Sequence, residues 1–294
     1  MPARPAWTTR ARIETSLAPH GVPDVLHLGR YNYTAARPGL TPHAHEQAME
    51  FCFLVRGRQT YSVAGRNYPL SGGDVFVTYP GELHDTGGTP EEKGVLYWLI
   101  LRIPPASRPL LNLPPRPSRS LRAALLALPR RHFRGTWRMR ERFDDLVSRH
   151  LAPATPLTSL IIQNQIIALL LDIVTCAHAA PPPSAARTRP LATALNHIAA
   201  HLDEPLPLSR LAAQAGLSVA RFKTRFKSEH GVPPGEYILR ARVAEAVRRL
   251  RETQHSVTHI AFDLGFSSSQ YFSTVVKRYT GQTPRSLRSL KVTR

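Results

Sequence analysis

A degenerate internal repeat between Leu191 and Arg288 constrains this chain more than any other feature. The first copy reads Leu208-Ser-Arg-Leu-Ala-Ala-Gln-Ala-Gly-Leu-Ser218, runs on from Val219 to His230, and reaches Gly231. The second reads Val257-Thr-His-Ile-Ala-Phe-Asp-Leu-Gly-Phe-Ser267, runs from Ser268 to Thr280, and reaches Gly281. Leu211, Ala212, Gly216 and Leu217 recur as Ile260, Ala261, Gly265 and Phe266 at an offset of 49. Ser218, Phe222, Gly231 and Pro234 recur as Ser268, Phe272, Gly281 and Pro284 at an offset of 50.

Both copies follow one physical logic. A short helix carries a small Ala where a second helix must cross closely. Gly216 or Gly265 then supplies the left-handed turn that ends the first helix. Ser218 or Ser268 can cap the second. Phe222 and Phe226, or Phe272 and Val276, form its buried side at i, i+4 spacing. The other side is polar: Ala220, Arg221, Lys223, Thr224 and Lys227 in one copy, Gln270, Ser273, Thr274 and Lys277 in the other. This is the helix-turn-helix pattern, whose second helix suits the major groove of DNA. Between the copies, Gly235 to Arg251 reads as a basic helix with Arg240, Arg242, Arg248, Arg249 and Arg251. A generic helical domain with a solvated basic surface would account for one such unit, not for two at a spacing kept to one residue.

Charge agrees with a polyanionic partner. The 294 residues carry 39 Lys+Arg against 20 Asp+Glu, a formal net charge of +19. Residues 1–101 are neutral, with nine basic and nine acidic side chains; residues 102–183 hold twelve and four, and residues 184–294 eighteen and seven. The excess therefore lies away from the first hundred residues, as expected if one end meets phosphate and the other something else. Cys52 and Cys176 are the only cysteines, too few for a disulfide framework. Met1 to Arg12 lacks the apolar stretch of a signal peptide. Leu160 to Val174 is interrupted by Gln163, Asn164, Gln165 and Asp172, and is shorter than the ~18–20 residues of a membrane span. The expectation is a soluble, cytoplasmic chain with no membrane partner.

From about Val25 to Ile103, apolar runs are cut by Gly and Pro: Phe51–Val55 before Gly57, Gln59–Val63 before Gly65, Asp74–Tyr79 before Pro80-Gly81. That spacing predicts antiparallel strands in a barrel or sandwich. Pro104 to Pro117 reads as an irregular crossing. Helices follow at about Ser118–Leu128, Trp137–Leu151 and Pro156–Ala179, the last presenting Leu160, Ile161, Gln163, Ile167, Leu170, Leu171 and Val174 as a wide apolar face. That face can pack on its own domain or on a second subunit. Pro181-Pro182-Pro183-Ser184 reads as an inter-domain linker. The fold class is thus α+β in two domains: an N-terminal barrel with a helical segment, then an all-α double helix-turn-helix.

The stretch Ile260-Ala-Phe-Asp-Leu-Gly-Phe266, with Ser268, Phe272, Lys277, Gly281, Thr283-Pro284 and Arg288, resembles the AraC family of bacterial transcription regulators, over about Leu191 to Leu290. The resemblance implies recognition helices facing successive major grooves of double-stranded DNA. Base-facing positions would be Ala220, Lys223, Thr224, Gln270, Ser273 and Thr274; phosphate contacts would be Ser218, Arg221, Ser268 and Lys277. Ala220 is small where the family often has a larger reader, and Val276 stands where it usually has Phe. The implied organisation is a sensing and dimerisation domain over 1–180 (barrel about 25–103, helices about 118–179), a linker over 181–190, and the DNA-binding domain over 191–294. A homodimer and contact with RNA polymerase go with such an activator.

His43-Ala-His45, then Glu50, Gly57, Gly73-Asp74, Pro80-Gly81 and His84, resembles a cupin over roughly Pro38 to Ile103. On a strand, His43 and His45 would share a side, with Glu50 and His84 converging. Three imidazoles and a carboxylate form a complete ligand set for a divalent transition metal. Alternatively, the barrel takes a small molecule, as AraC-family barrels do. Gly81 to His84, Thr86, Pro90-Glu91 and Tyr97 resemble the sugar-sensing members, which implies Arg56, His84, Thr86 and Tyr97 around a sugar-like polar metabolite. The leading expectation is a ligand-responsive, non-enzymatic regulator of carbohydrate or related small-metabolite genes. The alternative is a metal-dependent cupin enzyme with a DNA-binding appendage. A non-specific architectural binder would leave the neutral barrel and the uncharged Gln270 and Thr274 without a purpose.

Overall fold

β-Branched and aromatic runs bounded by Gly, Pro and Asn build the first half of the molecule. The computed structural model describes residues 11–179 and 189–289. The Pro181–Pro183 linker and the Met1–Arg12 stretch up to residue 10 lie outside the described residues. Two compact units emerge, one carried mostly by residues up to 179 and the other mostly by residues from 189 on.

In the first unit the strands are β1 (Arg12–Thr15), β2 (Val25–Tyr33), β3 (Ala48–Val63), β4 (Arg66–Ser71), β5 (Asp74–Thr78), β6 (His84–Asp85), β7 (Gly94–Arg102) and β8 (His132–Arg134). All pairings are antiparallel, in the order β1-β2-β7-β3-β5-β8, with β4 and β6 both added to β3. The two apolar runs expected as separate strands on either side of Gly57 are one strand, β3. It passes through Gly57 at φ 114° and pairs with β5 and β7 by its first part and with β4 and β6 by its last.

Period-2 alternation sorts side chains between two cores. On β7, Tyr97, Leu99 and Leu101 face one core, and Leu96, Trp98 and Ile100 the other. The second core is the barrel interior, filled by Tyr31, Cys52, Tyr61, Phe76 and Trp98. Gly29 lets the Trp98 indole lie across β2, since a Cβ there would sit 2.1 Å from the ring.

Three helices cover the first core: α1 (Pro115–Leu126), α2 (Trp137–Leu151) and α3 (Thr158–His178). α1 begins inside the stretch read as irregular, because Pro115 sits in the first turn, where no amide is needed. On α3 the buried stripe is Ile162, Ile166, Leu169, Leu170, Ile173 and Ala177. Of the face expected from sequence, Leu160 and Leu171 are instead 63% and 52% exposed. The helix is apolar almost all round, so periodicity alone did not select its inner side. At 21 residues with mean hydropathy 1.8, α3 is long and apolar enough to cross a membrane by length and composition, longer than the uninterrupted run suggested.

The second unit contains α4 (Arg189–Ala200), α5 (Leu208–Gln214), α6 (Val219–His230), α7 (Pro234–Glu252), α8 (Val257–Asp263), α9 (Ser269–Thr280) and α10 (Pro284–Ser289). Leu211, Ala212, Phe222 and Phe226 close one core with α4; Ile260, Ala261, Phe272, Val275 and Val276 close another with α10. α7 serves both, giving Ile238 to the first and Val243, Ala246 and Leu250 to the second.

Candidate nucleic-acid interface and effector site

The two repeats share one turn. At the end of α5 the Leu217 amide donates to the Ala212 carbonyl at 2.9 Å; at the end of α8 the Phe266 amide donates to the Ala261 carbonyl at 3.0 Å. Gly216 and Gly265 sit between at φ 62° and 69°, completing a Schellman closure that only glycine enters without strain. Ser218 Oγ accepts from the Arg221 amide at 3.3 Å, and Ser268 Oγ from the Tyr271 amide at 3.1 Å, so both serines cap their helices. Ala212 and Ala261 are buried at the crossings, and Phe222 and Phe272 are fully buried beneath them.

What remains outside is the polar side. Ala220, Arg221, Lys223, Thr224 and Lys227 of α6 are exposed, as are Gln270, Thr274 and Lys277 of α9; Ser273 is half-buried. The Ser273 and Thr274 hydroxyls donate back to the Ser269 and Gln270 carbonyls at 2.8 and 3.0 Å. Their oxygen lone pairs and the Thr274 methyl are what they offer outward.

The arginines of α7, read as a basic stripe, are largely spent within the unit. Arg248 and Arg249 hold Glu245 at 2.6 and 2.8 Å, and those hydrogen bonds, Arg248's first, bring the Glu245 carboxyl down to about 2. Arg242, expected only as one of five arginines on a basic helix, donates to the carbonyls of Leu202 at 2.9 Å, Glu204 at 2.7 Å and Gly265 at 3.2 Å. It therefore ties the loop before α5 to the turn of the second repeat.

In the first unit, His43, His45, Glu50 and His84 converge, with one ligand atom from each lying within 4.8 Å of all the others. Glu50 rises from β3 toward the barrel interior. His84 belongs to β6, and His43 forms an isolated bridge with it, their backbones exchanging hydrogen bonds at 3.1 and 2.9 Å. His43 and His45 thus lie on a bridged loop rather than on a regular strand. His84 Nε2 lies 2.9 Å from Glu50 Oε2, and His45 Nε2 3.8 Å from the same oxygen. Burial pushes the Glu50 carboxyl up, but the His84 hydrogen bond and the surrounding imidazoles outweigh it and leave the group lowered. Burial lowers His45.

Arg56, His84, Thr86 and Tyr97 do not come together. Tyr97 faces the helix-covered core, stacks on Phe143 and donates its hydroxyl to Asp144. Burial and that hydrogen bond push its phenol up to about 12. A β-bulge between Leu54 and Arg56 shifts the alternation of β3, so Arg56 is exposed. Thr86 is buried, its hydroxyl donating to the Thr89 carbonyl at 2.6 Å. His84 alone of the four joins the imidazole–carboxylate cluster.

Comparison with known proteins fits this division. The family model of the AraC-like ligand binding domain matches residues 28–170, and that of a helix-turn-helix domain matches residues 211–289. The HTH-type transcriptional activator RhaS of Escherichia fergusonii is 37% identical over 98 residues, 32% of this chain and 35% of that protein. RhaS of Salmonella arizonae is 35% identical over 88 residues, 30% of this chain and 32% of that one. These matches span about a third of the length of the curated relatives. Among solved structures, an AraC-type regulator from Chromobacterium violaceum is 29% identical, covering 37% of this chain and 97% of its own at a TM-score of 0.36. The DNA-binding domain of AdpA in complex with a target DNA is 31% identical, covering 35% of this chain and 92% of its own at a TM-score of 0.34. The chain carries an AraC-like ligand binding domain followed by a helix-turn-helix domain. It belongs to the AraC family.

Proposed function

We propose that this protein is a ligand-responsive activator that reads a bipartite operator through α6 and α9 in answer to a small polar, sugar-like metabolite. The observation that carries the reading is the duplicated turn, which holds two capped helices with exposed polar faces in one unit. In this reading Lys223, Thr224, Gln270, Ser273 and Thr274 meet base edges, with Ala220 against a thymine methyl. Ser218, Arg221, Ser268 and Lys277 meet phosphates. The 37% identity to a protein named an activator supports the direction of control, and the names of the RhaS relatives support a sugar-related effector. The domain boundaries are those of sequence: 1–180, 181–190 and 191–294. The cytoplasm, where operator DNA and RNA polymerase are found, is its place of action.

Leu157 at the N-cap of α3, with Leu160 and Leu171 on the helix, leaves a second apolar stripe, 60%, 63% and 52% exposed. A second copy of the chain is the occupant that suits it, because a homodimer also doubles the readers on a symmetric site. Selection from random double-stranded oligonucleotides by the full-length protein tests the central reading. Two conserved elements about 10 bp apart are expected, one for each recognition helix. Binding without sequence preference would overturn it. Screening the barrel against sugars and sugar acids by thermal shift identifies the effector class. Turnover of any of these by the metal-loaded protein would instead favour the cupin-enzyme reading, which draws on the imidazole–carboxylate cluster.

A further inference from the structure

We infer that His255, His259 and Asp263, which run from just before the N-cap of α8 to its last residue, bind one divalent transition-metal ion within the second unit. The first ground is convergence. One ligand atom from each of the three side chains lies within 4.8 Å of the other two. His259 Nε2 and Asp263 Oδ2 are 3.2 Å apart, inside the ~3–4 Å that bonds of ~2.0–2.2 Å to a common ion impose. The His255 and His259 rings meet edge to face, with centroids 4.6 Å apart.

The second ground is how the three are placed. His259 and Asp263 stand four residues apart and so share a face of α8. His255 precedes the helix, and its position is set from two sides. Ser256 caps α8 by accepting from the His259 amide at 3.0 Å, and Arg288 of α10 donates to the His255 carbonyl. α8 has only seven residues, too few to persist as an isolated helix. An ion held from before its first turn to its last residue would clamp it.

The third ground is the internal repeat. The offset of 49 sets Leu206, Arg210 and Gln214 of the first copy opposite His255, His259 and Asp263. The first copy closes the same glycine turn and buries the same Ala without an imidazole or a carboxylate at these places. Turn and core therefore do not demand them in the second. An i, i+4 ion pair would account for His259 and Asp263 but gives the His255 ring no part. Arg249 Nε holds Glu245 at 2.8 Å, and its Nη1 reaches Asp263 only at 3.4 Å, a long contact that the ion displaces. Two nitrogen donors and one carboxylate oxygen suit zinc, nickel, cobalt or copper, and not magnesium or calcium, which take oxygen ligands. Three protein ligands on an exposed surface leave a fourth place to water or another oxygen donor.

The test uses the full-length, untagged protein, stripped with chelator and titrated with zinc. Elemental analysis of the gel-filtered complex counts the ions, and hydrogen exchange with and without zinc locates them. Slower exchange of the α8 amides is expected once zinc is added. His259→Arg is the decisive substitution. A guanidinium keeps the i, i+4 pair with Asp263 but has no lone pair for a metal, and the first copy already carries Arg at this place. It should remove one ion per chain and abolish the zinc-dependent protection of α8. His255→Leu, again the first copy's residue, should weaken that site by more than about 100-fold, beyond the ~10–100-fold that loss of an outer partner gives. Both histidines are exposed, and unchanged exchange of α9 without zinc checks that the fold is intact. His43→Ala with His45→Ala should leave the protection of α8 in place, which separates this ion from any held in the barrel. Zinc that leaves α8 exchange unaltered would overturn the inference. So would protection that persists in His259→Arg, or that vanishes with the barrel substitutions.

Discussion

The first helix-turn-helix copy presents Arg221, Lys223 and Lys227 along the outside of α6, whereas α9 presents Gln270, Ser273 and Thr274, with Lys277 and Arg278 confined to its last turns. Beneath these different faces the backbone is the same: a Schellman turn on glycine, a serine cap, and a phenylalanine three positions into the helix. Closing the turn and filling the core fix the inner residues and leave the outer ones free to diverge. In the proposed reading the first copy supplies mostly charge and the second mostly base discrimination.

If each copy closes its own core, breaking one should spare the other. Phe222→Ala and Phe272→Ala each remove a fully buried ring and should cost ~3–5 kcal/mol. Hydrogen exchange of the full chain should show protection lost in α4–α6 for the first and in α8–α10 for the second. Equal loss in both halves from either substitution would mean that α7 fuses them into one cooperative core.

The division of labour is tested at the DNA. Gln270→Ala should cost ~1–3 kcal/mol at the selected site and relax preference at one or two base pairs. Lys277→Ala should weaken all sequences alike and reduce the salt slope by about one. Lys223→Ala combines both outcomes if α6 contributes charge first. Selectivity that falls with Lys277 and stays with Gln270 would reverse the assignment.

The two turns differ in what surrounds them. A Cβ on Gly216 would meet nothing within 4 Å, whereas one on Gly265 would lie 2.8 Å from Arg242 Nη2. Gly216→Ala should therefore cost only the left-handed strain of ~1–2 kcal/mol. Gly265→Ala should cost more, because it also dislodges the arginine that ties the two repeats. Equal losses by thermal denaturation would mean that Arg242 swings aside freely.

These comparisons were open to sequence reading to unequal degrees. The repeat was legible because glycine, serine and phenylalanine occupy positions where the backbone admits little else. The barrel was legible as strands, but not the continuity of β3 through Gly57, nor the bulge after Leu54 that turns Arg56 outward. Alternation carries no mark of where a strand inserts a residue, and a single slip moves every later side chain to the other face. The convergence of His43, His45, Glu50 and His84 was implied by the cupin resemblance, while the grouping of Tyr97 with Arg56, His84 and Thr86 failed because odd positions of β7 face the helices. Arg242 was hidden among the arginines of α7, since the carbonyls it holds belong to residues distant in sequence. On α3, apolar residues on nearly every side erased the periodicity that would have named its inner stripe.

The smallest contrast lies at the start of each copy. Ser256 Oγ accepts from the His259 amide at 3.0 Å and caps α8, while Pro207 stands at the corresponding place before α5 and offers no side-chain acceptor. Ser256→Ala should cost about 1 kcal/mol, and Ser256→Gly only a few tenths, since glycine leaves the orphan amides open to water. Pro207 has φ −64° and ψ 133°, an extended conformation that a serine cap also adopts. Pro207→Ser should gain a cap of similar worth. It also frees the unfolded chain, which costs ~0.4–1 kcal/mol, so the net change should lie within about half a kcal/mol of zero. Exchange rates of the α5 and α8 amides read both effects locally. A stabilisation of α5 well beyond that margin would show that the proline strains the native turn rather than merely stiffening the unfolded chain.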